Sequence, residues 1–97
     1  MSITLLLVDD SAEDQRLYRR ALKDTGYQLN AVLSGEEGIN SILKESPCLL
    51  LLDYLLPDMD GLDFVKRLRE QVEFDFPVVM LTGEGSEAGG WVSGLDL

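Results

Sequence analysis

The stretch that decides the fold runs from Cys48 to Gly61 and reads CLLLLDYLLPDMDG. A short apolar run bounded by turn residues is typical of a strand buried on both faces of a parallel sheet. Asp53 ends this run, so it would lie at the carboxyl end of a central strand. Pro57 and Gly61 would shape the turn that follows. Open α/β sheets bind their ligands at the carboxyl ends of the strands, and Asp53 is therefore a candidate site residue.

A second apolar run, from Ile3 to Val8, ends in Asp9 and Asp10. If the two runs form neighbouring parallel strands, three carboxylates converge at one edge of the sheet. Like charges at close range raise one another's pKa unless a cation neutralises them. Mg²⁺ prefers such oxygen ligands and keeps waters that a phosphate can displace. The pattern indicates a magnesium site. The other interpretation is that these acids end strands by chance or cap helices, and it explains one acid better than three.

The composition is that of one small globular domain of 97 residues, 45% of them apolar and 27% charged. The net charge is −10, from 18 acids, 8 bases and no His. Such a surface repels nucleic acid and anionic membranes, so we expect neither as a direct partner. The N-terminus lacks signal-peptide features and no apolar run has membrane-spanning length, so we expect a cytoplasmic protein. The single Cys48 cannot form an internal disulfide and is expected to be a small core residue.

Strand and helix patterns alternate along the chain. The predicted strands are residues 3–8, 27–33, 48–53 and 78–81, and helices are predicted to begin at the N-cap residues Ser11, Ser34 and Asp60. The order β-α-β-α-β-α-β predicts an α/β parallel sheet with right-handed crossovers and helices on both faces. The predicted inward helix stripes are Leu17, Tyr18, Ala21 and Leu22, then Ile39, Ile42 and Leu43, then Leu62, Val65, Leu68 and Val72.

The C-terminal segment, residues 83–97, differs from the rest of the chain. It contains five of the nine glycines and no basic residue. Glycine disfavours a helix here, and the pattern assigns no regular element to the segment. Its apolar residues, Trp91 and Leu95 among them, need cover.

These motifs resemble the receiver domain of two-component response regulators, the CheY-like family. The resemblance rests on Asp9-Asp10, on residues 53–61, and on residues 78–83, which read VVMLTG. It extends over residues 3 to about 88 and implies a flavodoxin-like, doubly wound sheet with strand order 2-1-3-4. We interpret residues 1–97 as a single receiver-like domain, with residues 3–82 as the matching core and residues 83–97 as an atypical Gly-rich tail.

The resemblance implies a role for each motif residue. Asp53 would accept a phosphoryl group from a histidine kinase or a phosphotransfer protein. Asp10, Asp53 and the backbone carbonyl of Leu55 would bind Mg²⁺, with Asp9 acting through water. Thr82 would supply the switch hydroxyl that hydrogen-bonds the phosphoryl oxygen, although Thr82 taken alone is more typical of an ordinary β-branched strand end. Phosphoryl transfer needs an in-line carboxylate and a cation that neutralises the spreading charge, which suits this set.

The sequence also departs from the family. A receiver normally has five strands and five helices, whereas this sequence ends where the fourth helix would be under way, before the family's Lys. The three lysines, Lys23, Lys44 and Lys66, fall on predicted helices and none matches that position. We therefore expect weaker anion stabilisation and slower phosphorylation. Strand four would be a sheet edge, from which we expect a homodimer or higher oligomer unless the tail covers it.

Three functions remain open at this point. The first is a phosphoacceptor signalling domain, which is not a turnover enzyme beyond its own phosphorylation and dephosphorylation. The second is a truncated pseudo-receiver that acts as an interaction or oligomerisation module without productive phosphorylation. The missing Lys favours the second, and the intact acids with Thr82 favour the first. A small hydrolase with Asp53 as nucleophile is the third, and the absence of His as a general acid or base opposes it.

Overall fold

The structure is a computed structural model that describes residues 3–81 and the two-residue strand Trp91–Val92. Five strands and three helices follow one another along the described chain. They are β1 (Thr4–Val8), α1 (Ala12–Ala21), β2 (Gln28–Val32), α2 (Gly35–Lys44), β3 (Leu49–Asp53), α3 (Gly61–Gln71), β4 (Val78–Leu81) and β5 (Trp91–Val92). None of the three helices is long and apolar enough to cross a membrane.

The strands form one sheet in the order β2-β1-β3-β4-β5. The first four strands are parallel, which confirms the predicted order 2-1-3-4. The connection from β1 to β2 runs toward one edge of the sheet, and the connections from β2 to β3 and from β3 to β4 run toward the other edge. Because right-handed crossovers in opposite directions place their helices on opposite faces, α1 lies on one face and α2 and α3 on the other. The direction changes between β1 and β3, where a doubly wound sheet opens a crevice at its carboxyl edge.

The main hydrophobic core lies between the sheet and helices α2 and α3. Phe64, Leu50 and Leu52 are fully buried in it. The backbone of α2 comes close to the sheet at Gly38, where an added Cβ would lie 2.7 Å from Val8 Cγ2 and 2.8 Å from Phe64 Cε2. This close approach fixes the position of α2 relative to β1.

All three predicted N-caps are confirmed. The Ser11 Oγ accepts a hydrogen bond from the Asp14 N–H at 3.1 Å, and the Ser34 Oγ accepts one from the Glu37 N–H at 3.2 Å. The Asp60 Oδ1 accepts from the Asp63 N–H at 2.8 Å. Each cap satisfies one of the N–H groups that a helix start leaves without an intrahelical partner.

The predicted inward stripes are wrong at several positions. Leu17, Leu43 and Leu62 are 59%, 46% and 53% exposed. Successive helix residues lie about 100° apart, so the buried positions Phe64, Val65 and Leu68 define a face from which Leu62 is turned away. The predicted stripe omitted Phe64. Helix α1 has no buried residue at all.

Two smaller expectations are also wrong. Cys48 is exposed, because it lies in the connection before β3 and not in the strand. Lys23 is not helical, because α1 ends at Ala21 and Lys23 lies in the turn that follows. Lys44 and Lys66 lie on α2 and α3 as predicted.

The expectation of a bare strand-four edge needs correction. The short strand β5 pairs antiparallel with β4, with Val78 opposite Val92 and Val79 opposite Trp91. The chain therefore returns to its own sheet and covers part of the β4 edge. A covered edge offers less template for a second chain.

Candidate metal centre

Three carboxylates meet where β1 and β3 end. Ligand oxygens of Asp9, Asp10 and Asp53 all lie within 4.8 Å of one another. The strand register explains the meeting, because Val8 pairs with Leu52 and the next residues along the two strands are Asp9 and Asp53. Asp9 is buried, Asp53 is half-buried and Asp10 is exposed. The predicted convergence of the three acids is confirmed, and their individual roles stay predictions.

Hydrogen bonds to the main chain fix the strand ends at the site. The Asp9 Oδ1 accepts a hydrogen bond from the Ser11 N–H at 3.0 Å. The Gln15 Nε2 donates to the carbonyl oxygens of Asp9 and Val32, both at 2.9 Å. This side chain of α1 thus ties the ends of β1 and β2 together beside the acidic cluster. Sequence reasoning missed Gln15, because both of its acceptors are backbone atoms.

The surroundings of Asp53 favour its protonated form. Burial, and next the charge of Asp9, raise the pKa of Asp53 to about 6, although the nearby backbone N–H groups of Leu55 and Tyr54 favour the charged form and oppose the rise. Burial also raises the pKa of Asp9, and the negative charges of Asp14 and Asp10 add to the rise. A divalent cation would relieve this repulsion. An all-oxygen donor set of mutually close carboxylates fits Mg²⁺.

The phenol of Tyr18 lies in the field of the same acids. Burial raises its pKa, and the charges of Asp9, Asp14 and Asp53 add to the rise, so the phenol keeps its proton. Sequence reasoning placed Tyr18 only in the apolar stripe of α1. Helical spacing shows which face a residue occupies and not how far its polar tip reaches.

The loop after β3, residues 54–60, is called the acidic-site loop below. Leu55 and Asp60 form an isolated antiparallel bridge, and the Leu56 N–H donates to the Met59 carbonyl at 3.1 Å. The Gly61 N–H donates to the Tyr54 carbonyl at 2.6 Å, which closes the loop at its base. The backbone carbonyl of Leu55 as a metal ligand stays a prediction.

One side chain of this loop reaches another element. The Asp58 Oδ1 accepts from the Gly35 N–H at 2.9 Å, and its Oδ2 accepts from the Glu36 N–H at 3.0 Å. Asp58 therefore joins the acidic-site loop to the first turn of α2. No sequence motif predicts this pair of bonds, because the partners are backbone groups more than twenty residues away. The predicted switch residue Thr82 lies outside the described residues.

The fold and the acidic cluster together are those of a receiver. The chain belongs to the response regulator receiver domain family, whose pattern matches residues 5–90. The resemblance predicted from the sequence is therefore confirmed.

Two relatives in bacteria illustrate the similarity. The chain is 36% identical over 87 residues to the alkaline phosphatase synthesis transcriptional regulatory protein PhoP of Bacillus subtilis, a match that covers 90% of this chain and 36% of that protein. It is 34% identical over 85 residues to the phosphate regulon transcriptional regulatory protein PhoB of Pseudomonas aeruginosa, a match that covers 87% of this chain and 37% of that protein. The chain thus spans less than half the length of the curated relatives it matches.

Solved structures agree with the fold. A putative response regulator from Chloroflexus aurantiacus superimposes with a TM-score of 0.80 at 36% identity, covering 91% of this chain and 73% of that one. The chemotaxis response regulator CheY4 of Vibrio cholerae gives a TM-score of 0.79 at 31% identity, and the match covers 91% of this chain and 74% of that one.

Proposed function

We propose that this chain is a phosphoacceptor receiver domain in two-component, or phosphorelay, signal transduction. Asp53 accepts a phosphoryl group from the phosphohistidine of a histidine kinase or a phosphotransfer protein. The observation that carries the proposal is the meeting of three carboxylates within 4.8 Å at the crevice of the sheet. Membership of the receiver family supports the same chemistry.

Each site residue has a part in this proposal. Asp10, Asp53 and the Leu55 carbonyl would hold Mg²⁺, Asp9 would act through water, and Thr82 would hydrogen-bond the phosphoryl oxygen. Bound Mg²⁺ supplies the positive charge that the spreading negative charge of phosphoryl transfer requires. The nearby backbone N–H groups of Leu55 and Tyr54 stabilise the charged form of the nucleophilic carboxylate.

The transfer itself is a single displacement at phosphorus. A carboxylate oxygen of Asp53 forms the new P–O bond as the P–N bond of the phosphohistidine breaks in line with it. The electron pair of the broken bond stays on the imidazole, and the aspartyl phosphate remains on the receiver. Only ionised Asp53 attacks; without a cation its pKa is about 6, and bound Mg²⁺ would lower this pKa and favour the ionised nucleophile at neutral pH.

The wider setting is proposed on the same basis. The chain is one domain and a cytoplasmic signalling module, not a turnover enzyme beyond its own phosphorylation and dephosphorylation. Its net charge of −10 supports a domain that does not itself contact nucleic acid or membrane.

The relatives are transcriptional regulators by name, and they extend beyond the length matched here. We also propose that two or more chains associate through the β4 edge, although β5 covers part of this edge.

The test is the intact mass of the chain after incubation with acetyl phosphate and Mg²⁺. We expect one phosphoryl group on the wild-type chain, and none on Asp53→Asn or without Mg²⁺. Asp63→Asn removes a carboxylate on α3 outside the cluster and should be phosphorylated like the wild type. No addition to a folded wild-type sample would overturn the proposal and favour the interaction module without phosphorylation.

A further inference from the structure

Asp58 contacts the first turn of α2 through its carboxylate. Both oxygens of one carboxylate accept hydrogen bonds from consecutive backbone N–H groups, those of Gly35 and Glu36. These belong to the first turn of α2, where N–H groups have no intrahelical acceptor and negative charge is favoured. Although partial burial opposes it, the bonds from Gly35 and Glu36 lower the pKa of Asp58, so the carboxylate stays charged.

The loop also makes apolar contacts, because Tyr54, Leu56 and Met59 pack against the hydrophobic core. Met59 lies against Gly35, where an added Cβ would come 2.6 Å from the Met59 Sδ. Beyond this contact, Asp58 and Met59 line an open cleft of about 600 Å³ between α2 and α3. Solvent therefore lies behind this part of the loop, and the pair of Asp58 bonds is its main polar link to α2.

The other side of the loop reaches the acidic cluster. The backbone N–H groups of Leu55 and Tyr54 lower the pKa of Asp53, and the Tyr54 N–H donates a hydrogen bond to the Leu81 carbonyl at 3.0 Å. The bridge between Leu55 and Asp60 makes the loop a compact unit, so a shift at Asp58 is transmitted to Leu55. The loop thus links the first turn of α2 to the phosphoacceptor.

We propose that Asp58 is a positioning residue for the acidic site: by tying the acidic-site loop to the first turn of α2, it holds the backbone of Leu55 in the position that the metal centre requires. The inference rests on the proposed function, in which the Leu55 carbonyl binds Mg²⁺. Asp58 touches neither the metal nor the phosphoryl group in this scheme. Removing such a supporting partner typically weakens metal affinity while the ligands themselves remain.

The test compares Mg²⁺ affinity, measured by calorimetry, among full-chain variants. Asp58→Ala removes both acceptors and should weaken Mg²⁺ binding by about tenfold. Asp58→Asn keeps one acceptor oxygen and should recover part of the loss. The matched control is Ser34→Ala, which removes the N-cap of the same helix without touching the loop. It should lower stability and leave Mg²⁺ affinity within about twofold, because the loop contacts remain.

Two outcomes would overturn the inference. One is an unchanged affinity in Asp58→Ala; the other is an equal loss in Ser34→Ala, which would make Asp58 only another helix cap. A wild-type chain that does not bind Mg²⁺ would instead count against the proposed function. In that case the inference is tested by the rate of hydrogen exchange at the Leu55 amide in the absence of metal. The inference requires faster exchange in Asp58→Ala than in Ser34→Ala.

Discussion

At the scale of single residues, the environment of Asp53 sets its protonation. Burial and the charge of Asp9 raise its pKa to about 6, while backbone donors from the acidic-site loop hold the charged form. Without a cation, the folded chain at neutral pH therefore carries a charged Asp53 carboxylate in surroundings that disfavour the charge. The cluster costs stability in return for a site prepared for a cation.

The stability of the metal-free chain should depend on pH through Asp53. An unfolded Asp has a pKa of about 3.9, so between that value and about 6 the folded chain binds more protons than the unfolded chain. The free energy of unfolding therefore falls as pH rises through this window. Asp53→Asn removes the cost and should raise the free energy of unfolding at about pH 7.5 by about 1 kcal/mol, after solvent screening of a half-exposed group.

Urea unfolding in EDTA measures this difference. The gap between Asp53→Asn and the wild type should shrink to less than about half at pH 4.5, near the lower end of the window. Asp63→Asn, which removes the same charge away from the cluster, controls for overall charge. A gap that is the same at both pH values, or an Asp53→Asn chain less stable than the wild type, would contradict the prediction.

The site residues that the sequence predicted are those that follow apolar runs. Asp9, Asp10 and Asp53 could be found because a strand end is visible as the end of such a run, and parallel strands end at one edge. Asp58 and Gln15 could not be found in this way. Their partners are backbone atoms of distant segments, and a backbone partner leaves no residue pattern in the sequence.

At the scale of elements, helix starts were more predictable than helix faces. A cap such as Ser34 or Asp60 acts over three residues, so its signal is local. Which side of a helix faces the sheet depends on packing against other elements. For this reason Leu43 and Leu62 were predicted inward and are exposed.

The close approach of α2 to the sheet predicts the effect of Gly38→Ala. Ala favours a helix over Gly by about 1 kcal/mol, but its Cβ would lie within 3.0 Å of the fully buried side chains of Val8 and Phe64. Overpacking typically costs about 1–3 kcal/mol, so we expect a net loss of about 1 kcal/mol in the free energy of unfolding.

Chemical denaturation checks this prediction, with Asn40→Ala as the control. Asn40 is exposed on the same helix, and there the gain in helix propensity should appear without a clash. A Gly38→Ala chain as stable as Asn40→Ala would show that the core yields at this point and would refute the expected clash.

At the scale of the whole molecule, the topology was predictable and the edge was not. Alternating elements and right-handed crossovers leave few arrangements of four strands, and the observed order is the predicted one. Cover of the β4 edge by the tail was the alternative to self-association, but the strand pairing itself could not be predicted, because two residues in a Gly-rich segment carry no periodicity.

The oligomeric state follows from how much of the β4 edge stays open. The sequence predicts a homodimer or higher oligomer through this edge, and β5 covers it at Val78 and Val79. Light scattering at tens of micromolar should give at least twice the mass of one chain, because the described pairing of β5 reaches only Val78 and Val79 of β4. A Leu81→Lys chain, which places a charge at the half-buried end of β4 outside its pairing with β5, is the control and should be monomeric. A monomeric wild type would end the proposal of self-association.

The central place of β1 in the sheet also matters during synthesis. This strand lies between β2 and β3, so its second neighbour is complete only when the chain has been made through Asp53. A nascent chain that has emerged only as far as α2 has β1 and β2 but leaves the inner edge of β1 open. The acidic site therefore cannot assemble until Asp53 has left the ribosome, and a pause before that point would expose an unpaired apolar strand to other nascent chains.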